Sequence, residues 1–172
     1  MFTDDIVLHG KHAQYVKELG DSENKLFNRY LDVFMNSAVI GLIFDKREVR
    51  DKESQYKDTS ISIFAAAINK EKANLDYIYR LIMLLDDSGN IDLEGRINRA
   101  FRDDANSDVS DRHQKNLELF KEYALGGITI LYDKIIKEGI TKEDFMKNSY
   151  EFMKSRSEEI EEGAADELID AL

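Results

Sequence analysis

The sequence predicts an all-α fold, a single bundle of about five or six helices. The chain of 172 residues has no proline, where average usage of about 5% would give roughly eight, so little in it forbids long helices. Hydrophobic residues make up 42% of the chain, and many recur at the three- and four-residue spacing of amphipathic helices. This length suits one substantial hydrophobic core.

We expect three parts along the chain. Residues 1–20 form an N-terminal arm, residues 21–157 form the helical bundle domain, and residues 158–172 form an acidic tail. Within the arm, Ile6-Val7-Leu8 is compatible with one short strand or with an irregular segment, and the residues after it are compatible with a helix.

The first helix of the bundle is predicted from residue 25 to residue 44, because its apolar residues fall on one stripe. Asp21 or Ser22 can supply the N-cap oxygen. Residues 45–58 contain five basic and five acidic side chains and few apolar ones, which indicates an exposed connector.

A second helical region is predicted to open at Thr59 or Ser60 and to continue to Leu85, with a local break at Asn69 or Asn74. After a turn rich in Asp, Gly and Asn, a shorter helix is expected.

Asp92 is the expected N-cap of this shorter helix, which spans residues 93–102 and is followed by a polar loop at residues 103–111. Four of its residues are predicted to face the core: Leu93, Ile97, Ala100 and Phe101.

The longest helix is predicted from residue 112 to residue 138 and carries a wide apolar surface. Gly126-Gly127 lies inside it and costs about 1 kcal/mol per glycine relative to alanine, which indicates either a close approach of another helix or a kink. Gly139 is the expected C-terminal stop and Thr141 the N-cap of the last helix.

Three arginines, Arg96, Arg99 and Arg102, are spaced by three on the predicted short helix. They would share one face and form a candidate contact for a phosphate, a carboxylate or a partner. The alternative is that they neutralise the adjacent acids: Glu94, Asp103, Asp104 and those of the following loop.

The composition excludes several classes of protein. Without cysteine there is no disulfide framework, no thiolate nucleophile and no cysteine-based metal site, and such a chain suits a reducing compartment. No apolar run approaches the roughly 18 residues that a membrane span needs, and the acidic N-terminus differs from a signal peptide. We therefore expect a cytoplasmic protein without membrane contact.

The motifs that suggest chemistry do not complete a site. A calcium loop aligned on Gly89 would place Leu84 and Gly95 where carboxylate ligands are required. His9 and His12 lie three residues apart but have no third ligand at a defined offset. There is no phosphate-binding glycine loop and no nucleophile elbow. We expect no catalytic, metal-binding or cofactor-binding residue, and no cofactor.

Several short phrases occur together along most of the chain. They are Gly10-Lys11-His12-Ala13, Gly41 before the basic connector, Tyr79-Arg80-Leu81-Ile82, Arg96-Ile97-Asn98-Arg99-Ala100-Phe101-Arg102 and Gly126-Gly127-Ile128. In this combination the chain resembles small helical accessory proteins of bacterial DNA-modification and anti-phage systems, of the type associated with DNA phosphorothioation. The resemblance implies a bacterial or phage-related cytoplasmic protein that acts with partners near DNA, and it carries no catalytic roles.

The function that these observations favour is a non-enzymatic accessory or protein-interaction module. One alternative is a nucleic-acid-binding or phosphate-binding module that uses Arg96, Arg99 and Arg102, assisted by bases of the connector: Lys46, Arg47, Arg50 and Lys52. A homo-oligomer also stays open.

Two further alternatives concern the acids. Seven acids and no base follow Arg156, and residues 103–111 carry four acids, so the remaining chain is electrically balanced despite the net charge of -11. This distribution weakens an interpretation as a whole-surface mimic of DNA.

A metal-dependent all-α hydrolase would need carboxylate pairs on core-facing helices, whereas Glu48-x-x-Asp51 and Glu158-x-x-Glu161 lie in the connector and the tail.

Overall fold

The computed structural model describes residues 2, 4–20, 26–103 and 110–170, with the backbone alone at residues 110 and 160–170. This part of the chain is largely helical, as predicted, but it is not purely all-α because it contains a two-stranded sheet. The elements in chain order are β1 Ile6–His9, α1 Gly10–Leu19, α2 Tyr30–Ile43, β2 Ser60–Ile63, α3 Ala65–Lys70, α4 Lys72–Leu85, α5 Leu93–Phe101, α6 Ser110–Leu131, a π-helical turn Tyr132–Ile136 and α7 Lys142–Asp170.

The prediction of a helix opening at Thr59 or Ser60 is wrong, because residues 60–63 form a strand. This strand pairs antiparallel with β1, so that Ile63 lies opposite Ile6. The alternation Ser-Ile-Ser-Ile has the period of two that a strand requires, and it buries the isoleucines while the serines stay exposed. The sequence-based prediction failed here because an alternation of only four residues is a weaker signal than the helical pattern that follows it.

The segment expected to be an N-terminal arm lies in the core. Ala13, Val16 and Leu19 of α1 have no exposed surface, and the ring of Tyr15 stacks on that of Tyr132 at a centroid distance of 3.7 Å. Residues 4–20 therefore belong to the same folded unit as the bundle.

Glycines allow α2 and α6 to pack closely. A Cβ atom added to Gly127 would lie 1.8 Å from the carbonyl oxygen of Ser37, and one added to Gly41 would lie 2.0 Å from that of Tyr123. The predicted close approach at Gly127 is confirmed, since no larger residue fits without moving a backbone. The backbones of α2 and α6 are therefore in direct contact at these glycines.

Two predicted N-caps are confirmed. Asp92 accepts a hydrogen bond from the backbone N–H of Gly95 at 2.8 Å, and Thr141 and Asp144 bond reciprocally at the start of α7, as in a capping box. The predicted caps of the first helix, Asp21 and Ser22, lie outside the described residues.

The backbone of α7 is helical through Asp170, which includes most of the expected acidic tail. The side chains of the tail from residue 160 onward, and residues 104–109 of the polar loop, lie outside the part that the structure describes. Among the described residues, no helix combines the length and the apolar character needed to cross a membrane.

Candidate interaction surfaces

The short helix α5 is oriented differently from the prediction. Ala100 faces the core, as predicted, with 1% of its surface exposed. Leu93, Ile97 and Phe101 were expected beside it, and that prediction is wrong, because they are 61%, 38% and 47% exposed. An amphipathic helix therefore displays its apolar stripe to solvent. We call these three residues the α5 surface.

Arg99 explains this orientation. Its guanidinium is buried and makes four hydrogen bonds to the end of α4, two to the carbonyl oxygen of Met83 and one each to the carbonyl and carboxylate oxygens of Asp86. The last carbonyls of a helix lack partners within the helix, and cations are favoured at this end of its dipole. Turning the apolar stripe of α5 inward would withdraw these bonds.

The carboxylate of Asp86 is shared with two other groups. Tyr123 donates to it at 2.6 Å and Ser88 at 2.7 Å. Burial opposes ionisation of Asp86, but the hydrogen bonds from Tyr123, Ser88 and Arg99 hold its pKa below the ordinary value. Burial and the same carboxylate raise the pKa of Tyr123. This is a structural network in the interior, with its donors and acceptors satisfied by one another.

The three candidate arginines are therefore not presented together. Arg102 is exposed and donates to the side chain of Asn98 at 2.9 Å. Arg96 is half-buried, and its Nε has no partner among the described residues. Arg99 uses its donors inside the protein. Beside the α5 surface, the guanidinium of Arg80 lies over the ring of Phe101, 5.2 Å from its centroid.

The connector between α2 and β2 is anchored to the bundle by Glu48. The backbone N–H of Glu48 donates to the carbonyl of Glu122 at 3.0 Å. Its carboxylate accepts bonds from Lys11 at 2.8 Å, His12 at 2.9 Å and Thr129 at 3.0 Å. Burial opposes its ionisation, but these donors lower the pKa of Glu48 to about 2. The predicted exposed connector is thus attached to the interior through Glu48.

The two N-terminal histidines do not form a shared site. His12 has no exposed surface and its Nε2 lies against Glu48, while its Nδ1 has no partner among the described residues. His9 ends β1, where partial burial and the charge of Arg50 lower its pKa. In the described part of the chain, no group of three or more His, Asp or Glu side chains is arranged to hold a metal ion.

The order of the groups at Glu48 does not match a hydrolytic triad. In such a triad the histidine lies between the hydroxyl nucleophile and the acid. Here the acid lies in the middle, since His12 and Thr129 both bind the Oε2 atom of Glu48. This arrangement holds α1, the connector and α6 together.

The roles of Glu48 and Asp86 could not be predicted from the sequence, because no local signal marks either residue. Glu48 is one of several acids in a charged segment, and Asp86 is one of two adjacent acids in a turn. Only their distant partners distinguish them from their neighbours.

Comparisons of the chain with protein-family models, with curated proteins and with solved structures find no match.

Proposed function

We propose that this protein is a non-enzymatic interaction module that binds a protein partner through the α5 surface. One observation carries the proposal: Leu93, Ile97 and Phe101 form the apolar stripe of an amphipathic helix and face solvent. Full burial of such a side chain contributes about 1.5–3 kcal/mol. A contiguous exposed apolar patch on a protein is typical of an interaction site.

The orientation of α5 supports a preformed surface. The bonds of Arg99 to Met83 and Asp86 fix the rotation of the helix about its axis, so the stripe is presented in the free protein. Its residues are spaced by four, the pattern with which a helix enters an apolar groove. Binding would need little reorganisation of this chain.

The charges around the stripe indicate the chemistry of the partner. Arg80 lies over Phe101, and the exposed Arg102 is the C-cap residue that directly follows Phe101. A partner with an apolar groove and an acidic rim would complement this surface. The proposal extends to the setting that the sequence resemblance implies, in which the partner is a component of a bacterial DNA-modification or anti-phage system.

Affinity purification from the native host tests the proposal. The wild-type chain is compared with an Ile97→Ser/Phe101→Ser variant and with Phe64→Ser, a control that removes an aromatic residue 66% exposed at the start of α3. We expect wild type and control to retain the same stoichiometric protein and the double variant to lose it, at unchanged thermal stability. Equal recovery by all three chains, or no stoichiometric protein with wild type, would contradict the proposal.

A further inference from the structure

A second feature, away from α5, is an open cleft of about 740 Å³ between the connector and the start of α1. Three acids line it; Glu53 is exposed, and the other two are occupied. Glu48 accepts bonds from three side chains, as described above. The Asp51 carboxylate accepts from the backbone N–H groups of Lys11, Glu53 and Ser54 and from the Ser54 hydroxyl. Asp51 thereby caps α1, and these donors lower its pKa.

The bases of the cleft keep free donors. Arg50 and Lys52 are exposed, and neither forms a hydrogen bond or an ion pair with another residue that the structure describes. Arg47 is exposed and donates through one nitrogen to Ser88. The unused capacity of this wall is therefore mainly hydrogen-bond donation by cations, which complements an anion with several acceptor oxygens. A phosphate group meets this requirement.

A smaller cavity of about 230 Å³ adjoins the cleft and shares Arg50 with it. Its lining includes the apolar residues Val7 and Leu125, the bases His9 and Lys121, and Asp5, whose carboxylate accepts from the backbone N–H of Ala65. A ligand that spans both spaces would place negative charge beside Arg50 and an apolar or planar group against β1 and α6.

We propose that the connector cleft binds the phosphate groups of a small organic phosphate, whose apolar or planar portion enters the cavity beside Val7. The site is formed by Arg47, Arg50 and Lys52, presented by a connector that Glu48 and Asp51 hold in place. The site uses none of the three residues of the α5 surface.

Isothermal titration calorimetry at low ionic strength, without divalent cations, tests the site with tripolyphosphate and with ATP. Both should bind, and ATP should bind about fivefold more tightly because its adenosine portion enters the cavity, a gain of about 1 kcal/mol. Val7→Ser should reduce this difference and leave tripolyphosphate binding unchanged.

The variant Arg50→Gln/Lys52→Gln should weaken both ligands about tenfold or more, since it removes two charged donors. Lys70→Gln/Lys72→Gln is the matched control, because it removes two exposed cations at α3 and α4 and so changes the net charge equally. Its affinities should stay within about twofold of wild type.

Three results would overturn the proposal. One is no measurable heat with either ligand at millimolar concentration, and another is equal weakening by the two double variants. The third is equal affinity for tripolyphosphate and ATP, which would remove the role of the cavity. If a single-stranded oligonucleotide binds more tightly than ATP, and Arg50→Gln/Lys52→Gln weakens its binding to the same extent, the ligand of the cleft is nucleic acid and not a small organic phosphate.

Discussion

Arg99 and Asp86 form a buried ion pair, with 2.9 Å between Nη1 and Oδ2 and side-chain exposures of 8% and 1%. The pair joins the inner side of α5 to the C-terminal end of α4. The guanidinium also binds the carbonyl of Met83. Arg99 therefore caps the C-terminal end of α4 and fixes the rotation of α5 about its axis. The exposed apolar stripe of α5 is the consequence of this contact.

Replacing Arg99 by Met should destabilise the fold by about 3–5 kcal/mol, because Asp86 would remain as an unpaired buried charge. Arg102→Met removes the same side chain from an exposed position of the same region and should change stability by about 0.5 kcal/mol or less. Urea denaturation of the two variants measures the difference. A similar small loss in both would show that the ion pair does not hold the two helices together.

Tyr123→Phe should cost about 1–3 kcal/mol, since the buried Oδ1 atom of Asp86 loses one of its two donors and keeps only Ser88. Tyr77→Phe is the control, because Tyr77 is 67% exposed and removal of its hydroxyl should be nearly neutral. The shift of the urea midpoint reports both effects. The interpretation of Asp86 as a shared acceptor fails if the two variants are equally stable.

Gly127→Ala should destabilise the protein by about 1–3 kcal/mol or more, because the added methyl group meets the carbonyl of Ser37 and overpacking strains a rigid core. Gly89→Ala is a suitable control. A Cβ there would lie 3.2 Å from the side chain of Ile91, which can shift, so stability should stay within about 1 kcal/mol. Thermal unfolding compares the two, and a benign Gly127→Ala would argue against the close α2–α6 contact.

The lowered pKa of Glu48 predicts how the free energy of unfolding changes with pH. Its pKa falls from 4.5 to about 2 on folding, so its charge contributes stability above about pH 4.5 that is lost as pH falls toward 2. The full contribution is about 3 kcal/mol. Other acids with lowered pKa values add to the wild-type curve, so the measurement is the difference between wild type and Glu48→Gln.

We expect this difference in unfolding free energy to be largest near neutral pH and to shrink as the solution is acidified through the interval from 4.5 to 2. Denaturant titrations at several pH values measure it. A difference that stays constant across this interval would mean that the ionised carboxylate of Glu48 is not what Lys11, His12 and Thr129 stabilise.

Features set by neighbouring residues could be predicted from the sequence. The caps at Asp92 and Thr141 depend on groups three positions away, and the close approach at Gly127 follows from the cost of a glycine within a helix. The orientation of α5 could not be predicted in this way. Its pattern shows two faces, but which face is buried was decided by bonds from Arg99 to groups 13 and 16 positions earlier.

The attachment of the connector could not be predicted either, because it depends on residues that are still further apart in the sequence. Glu48 reaches His12 across 36 positions and Thr129 across 81, and nothing local distinguishes it from the other acids of its segment. The strand β2 likewise depends on a partner more than fifty residues away. Long-range pairing of polar groups and of short strands, rather than periodicity, accounts for what the sequence analysis missed.

The central claim is that the α5 surface contacts a protein partner, and site-specific photo-cross-linking in the native host measures this most directly. A photoreactive phenylalanine analogue replaces Ile97 in one chain and Phe64 in another. We predict one discrete protein adduct from position 97 and a much weaker one, or none, from position 64. No adduct at position 97, or the same adducts in equal yield from both positions, would contradict the claim.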